Sequence, residues 1–139
     1  MSPPYELIPH TADLELRVTA GDLAALYGEA VTALFDVMIN RDAVREAEKR
    51  LLSVEESATD LRLKALLDEA LYLFEIGEFA GRSARVVGLE GDRLHVEVRG
   101  ERYDPARHGL RAVIKAVTFN ELRVEPAPEG WAARFVCDL

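Results

Sequence analysis

The chain has 139 residues, a formal net charge of −8 at pH 7 and a single cysteine, with 49% apolar and 30% charged residues. That balance is one of a folded domain with its own core, not of a disordered chain. The negative charge argues against direct nucleic-acid binding, which draws its affinity from counterion release at basic surfaces; the lone cysteine excludes an internal disulfide, and no apolar run approaches the roughly 20 residues that span a bilayer. A single domain over residues 1–139 is therefore expected, without membrane attachment. The N-terminal residues show no export signal, and with the reduced cysteine this makes the cytoplasm the expected location. An acidic domain favours a basic protein partner or a bound cation.

Along the chain, residues 5–8 read as a short strand. Residues 14–19 alternate Leu14, Leu16 and Val18 against Glu15, Arg17 and Thr19, the pattern of a half-buried strand. Asp22 offers an N-cap, and Leu23, Leu26, Ala30, Leu34 and Met38 follow at helical spacing to about Ile39. Residues 50–56 form a strand pattern with Leu52 and Val54 on one face. Thr59 is a second N-cap candidate, opening a helix with Leu63, Leu66, Leu67, Ala70, Leu71 and Phe74 in its stripe, and Gly77 is its stop signal.

The remainder is rich in strand patterns. Residues 84–89 and 93–99 flank Glu90-Gly91-Asp92, a hairpin signal. Residues 112–117 and 122–125 are strand-like, 126–130 read as a turn, and a last strand runs from Trp131 to Leu139. Two main helices on one face of a mostly antiparallel sheet make an α+β, two-layer fold. The glycines match neither a dinucleotide fingerprint nor a P-loop.

Three short segments carry the chemical interest: His10-Thr11-Ala12-Asp13, Ile114-Lys115-Ala116-Val117-Thr118-Phe119 and Cys137-Asp138-Leu139. Read alone, Asp13 has the pattern of a turn or cap residue. Lys115, among Val113, Ile114, Ala116 and Val117, is either the exposed member of an alternating strand or a functional charge. Cys137 alternates with Trp131, Ala133 and Phe135 and reads as core, not as a nucleophile. The alternation persists to the last residues, a sign that the end of the chain is docked and not frayed.

Taken in order with Ala33-Leu34-Phe35-Asp36-Val37-Met38, Glu69-Ala70-Leu71-Tyr72-Leu73-Phe74 and Gly100-Glu101, these segments resemble the archease family over nearly the whole chain. The resemblance implies a non-enzymatic partner of the RNA-splicing ligase that joins tRNA halves. Such a partner promotes guanylylation of the ligase histidine and multiple turnover. It also implies a divalent-metal site made of Asp13, Asp138 and Leu139, with Lys115 required for activation. Two carboxylates and a terminal carboxylate are hard oxygen donors, suited to Ca²⁺ or Mg²⁺ and not to zinc.

His10 is either a metal ligand or base or, as the favoured reading, a hydrogen-bonding residue that orders the loop before Asp13; Thr11 and Thr118 are expected to shape their loops through their hydroxyls, and Glu101 either to line the site or to stay a surface charge. His95 reads as solvated, and His108 as a turn residue. One position departs from the family pattern: Asn120 stands where a His is common, and it does not titrate near neutrality. Two other classes compete with the ligase activator. One is a chaperone-like modulator of RNA-modifying proteins; the other is a metal-dependent phosphohydrolase, for which the sequence shows neither a second metal cluster nor an evident base.

Overall fold

A computed structural model describes residues 4–9 and 13–139. Among them the strands divide between two antiparallel sheets. The first has the order β1 (Tyr5–Pro9), β2 (Asp13–Ala20), β8 (Gly130–Asp138), β6 (Ala116–Val117), with β7 (Arg123–Ala127) also paired to β8. The second has the order β3 (Glu48–Glu55), β5 (Arg93–Arg102), β4 (Phe79–Glu90). The long helices α1 (Leu23–Met38) and α2 (Thr59–Glu75) each touch strands of both sheets. The α+β class agrees with the sequence pattern, which did not separate the two sheets. No helix among the described residues is long and apolar enough to cross a membrane.

The register of the first sheet follows from its alternation. Leu14, Leu16 and Val18 stand opposite Cys137, Phe135 and Ala133, and directly opposed residues share a face. Leu16, Val18, Phe135 and Cys137 are fully buried. The intervening residues, Asp13, Glu15 and Arg17, therefore face the other way, opposite Asp138, Val136 and Arg134.

α1 begins where Asp22 caps it, with the Ala25 N–H donating to Asp22 Oδ1 at 2.8 Å. It packs closely on β4: a Cβ on Gly28 would lie 2.8 Å from the Ala84 carbonyl oxygen. α2 starts differently from expectation, with Ala58 at the cap position and Thr59 already helical. The two helices run side by side in the same direction. The Tyr27 hydroxyl donates to the Thr59 carbonyl at 3.0 Å, and further along Phe35 meets Phe74 edge-on at 6.4 Å. Arg62 is buried beside Tyr27, and its Nε donates to the Glu56 carbonyl at 3.0 Å, tying the loop before α2 to the helix.

Three local expectations need correction. Of residues 112–117 only Ala116–Val117 pair as a strand; the segment before them bridges elements instead, with Arg111 N–H donating to the Met38 carbonyl at 2.7 Å and Lys115 N–H to the Asp138 carbonyl at 2.8 Å. The turn expected at 126–130 is tighter, because Pro126 opposes Trp131 and Ala127 opposes Gly130 within the β7–β8 ladder. His108 is not in a turn: it ends a short helix, α3 (Pro105–His108).

Candidate metal centre

At one end of the first sheet Asp13 and Asp138 stand directly opposite each other on β2 and β8. On the far side of β8, Ala116 is the partner of Asp138. Asp13, Asp138 and Ala116 thus form one row across three strands on the face turned away from the core. The two Cβ atoms of such an opposed pair lie about 5 Å apart, and like charges placed this way destabilise a sheet. Asp13 is half-buried with its Oδ1 shielded from solvent, and Asp138 is exposed. Ala116 leaves the Asp138 side of the row open. Two residues inward, buried Glu15 has Arg134 Nη1 at 3.9 Å.

Lys115 is brought to this row by its main chain, through the 2.8 Å bond to the Asp138 carbonyl, and its side chain is exposed. Leu139 follows Asp138 directly and is 40% exposed. Thr118 continues the ladder with its N–H on the Val136 carbonyl at 2.9 Å, and its hydroxyl accepts from Asn120 N–H at 3.2 Å, holding the turn after β6. His10 and Thr11 lie outside the described residues. Among the described residues no three His, Cys, Asp or Glu side chains gather as a metal site; the Asp13–Asp138 pair supplies two side-chain donors.

Glu101 is engaged elsewhere. Its Oε2 accepts from Arg45 N–H at 2.8 Å, from Arg107 Nη2 at 2.6 Å and from His108 Nε2 at 3.0 Å. The Arg45 amide first, then the His108 and Arg107 donors, hold this carboxyl well down, to about 2. His108 is fully buried and stacks on Tyr103 at 5.9 Å. Its Nδ1 accepts from Asp104 N–H at 2.9 Å, which leaves Nε2 as the donor to Glu101. Sequence reasoning passed over His108, although Asp104-Pro105 is a helix-start signature that marks the segment as ordered. Cys137 is core as expected, and burial pushes its thiol up to about 12, which keeps it protonated and unreactive.

A second cluster was also missed. The Tyr5 hydroxyl donates to Asp36 Oδ2, and Arg41 Nε lies 3.3 Å from Asp36 Oδ1. Burial and the Asp36 carboxylate push the Tyr5 phenol up to about 12. Asp36 belongs to the Ala33–Met38 segment, so the resemblance flagged the position without indicating its partners.

Residues 5–139 match the model of the Archease protein family (MTH1598/TM1083). The chain belongs to the archease family. It is 37% identical to the protein archease of Methanopyrus kandleri, covering 98% of this chain and 99% of that one, and 31% identical to that of Methanosarcina acetivorans, covering 97% and 95%. Its fold matches the solution structure of Methanobacterium thermoautotrophicum protein 1598 with a TM-score of 0.82, at 24% identity over 99% of this chain and all of that one. It also matches the crystal structure of a Thermotoga maritima archease, titled a possible chaperone, with a TM-score of 0.60 at 23% identity over 95% and 94% of the two chains.

Proposed function

We propose that this archease is a non-enzymatic activator of an RNA-splicing ligase, acting through a divalent cation, Ca²⁺ or Mg²⁺, held at the Asp13–Asp138 row. The observation that carries this reading is the strand register. It sets two carboxylates from distant parts of the chain face to face, with a small residue beside them. A cation between them turns a repulsive pair into a binding site. Asp13 and Asp138 are two donors, and a main-chain oxygen of Leu139, the residue after Asp138, is the third. Three protein donors leave positions open on a cation that takes six or more. When bound, the cation supplies a positive centre for phosphate oxygens of the nucleotide in the ligase. Lys115, anchored by its main chain to Asp138, offers its ammonium to the same phosphates or to a ligase carboxylate. Thr118 fixes the turn that follows, and Glu101 with His108 braces the opposite sheet.

The test is multiple-turnover RNA ligation by the cognate ligase with GTP and Mg²⁺ or Ca²⁺, with and without the protein. Stimulation is expected, and it should vanish with Asp13→Ala or with residues added after Leu139, while circular dichroism stays unchanged. Full stimulation by Asp13→Ala would sink the metal site. The description of the Thermotoga maritima relative as a possible chaperone motivates a second reading, a chaperone-like role. It requires no cation, so partner binding and solubilisation that persist undiminished in chelator would favour it.

A further inference from the structure

The solvent face of α2 carries large apolar groups that no neighbour covers. Leu61, Tyr72 and Ile76 are 42%, 62% and 65% exposed, and their spacing puts them along one side of the helix and its C-cap. Single exposed apolar residues are ordinary, but an aligned set on a helix whose other face already fills the core is not. Phe119, 68% exposed in the turn after β6, flanks this stripe with its ring 4.8 Å from the Lys64 ammonium. Lys64 is itself paired with Asp68 at 2.7 Å. The ring is therefore held in place, which lowers the entropy cost of using it as an anchor.

We infer that this stripe and Phe119 form the docking surface for a basic protein partner, the same ligase whose activation is proposed above, on which reading the inference rests. Charge argues for the partner's chemistry. Asp68, Glu69 and Glu75 lie exposed beside the apolar groups, and Asp68 engages the nearby Lys64, so the face is acidic with aromatic anchors. Its complement is a basic surface with apolar spots, and an enzyme that handles RNA carries basic surface around its substrate path. Continuity argues for the place. α2 packs against β6 and β7, the strands that flank β8, and Thr118, next to Phe119, is bonded to β8 two residues from Asp138. A stable interface covers about 800 Å² on each partner, far more than the Asp13–Asp138 row. The row lies on the sheet face turned away from the core and α2 on the core side, so a partner that engages both wraps around the β6 edge, where Phe119 stands.

The experiment measures binding of the purified cognate ligase to the wild-type protein, to Phe119→Ala, to Tyr72→Glu and to the double variant Glu69→Lys/Glu75→Lys, each checked for an unchanged melting curve, and then ligation at increasing activator concentration. Weakening of about ten-fold or more is expected for each variant, with wild-type affinity falling as salt rises. Stimulation by Phe119→Ala should return at saturating concentration, whereas Asp13→Ala should stay inactive at any concentration. Should Phe119→Ala fold poorly, Tyr72→Glu, at a solvent-facing position, carries the test. Variants that bind like the wild type would overturn the docking surface and leave the activator reading intact. Wild-type binding that is weakened by the variants but yields no stimulation would support the surface and sink the activator reading. Absence of wild-type binding would overturn both.

Discussion

Three donors converge on Glu101 Oε2: the Arg45 amide, the Arg107 guanidinium and the His108 imidazole. Their combined preference for the charged form lowers this carboxyl from 4.5 to about 2. A depressed folded-state value makes the group stabilising above the unfolded value, and that contribution fades as pH drops from 4.5 towards 2. Glu101→Gln should therefore melt lower than the wild type at neutral pH and show a flatter loss of melting temperature through that acid window. Parallel curves for the two proteins would remove Glu101 from the account. At this scale the sequence was informative only in part. Cys137 showed its burial through alternation, because a strand's period assigns faces residue by residue. Glu101 and His108 did not reveal their bond, since the contact depends on how α3 packs and not on any local pattern.

Among the elements, the second sheet depends on close approach of β4 and β5. Gly100 pairs with Gly81 and Glu48, and a Cβ there would lie 1.9 Å from the Ala80 carbonyl oxygen. Backbone cannot yield as a flexible side chain does, so Gly100→Ala should cost about 3 kcal/mol or more. Urea unfolding would show this as a large fall in midpoint, and a change under about 0.5 kcal/mol would contradict the packing. The long helices were legible because Asp22 caps α1 and because apolar residues recur at three and four in both. Residues 112–115 were not: Ala112, Val113 and Ile114 carry strand-like residues, yet the segment's amide bonds run to the end of α1 and to β8. β propensity describes fitness for a pleated surface and does not say whether a partner strand is present.

For the molecule as a whole, the proposed cation site makes a thermodynamic prediction, because a bound cation would be coupled to folding. Any cation that binds the folded row and not the open chain adds stability by mass action, about 2.7 kcal/mol at a hundred-fold excess over Kd. For a domain of this size that raises the melting temperature on the order of 5–10 °C. Ca²⁺ or Mg²⁺ should produce such a rise in the wild type and none in Asp138→Ala. An equal rise in both proteins would place cation binding elsewhere. Only the resemblance grouped Asp13 with Asp138, since nothing local joins an aspartate near one end of the sequence to another near the other end. The register that unites them exists only once the sheet has formed.

β8 is flanked by β2 on one side and by β6 and β7 on the other, so the last strand in the sequence is the hub of its sheet. During synthesis on the ribosome, β1 and β2 emerge before β8 and wait with an unsatisfied edge until the more than one hundred residues between have followed. Contacts of such long sequence separation form slowly, and a waiting edge is an invitation to pair with the wrong strand. A chain stopped short of its final strand would lack Asp138 and leave β2, β6 and β7 without their common neighbour. Synthesis of β8 is thus itself a checkpoint: no product that stops before it can carry the Asp13–Asp138 row.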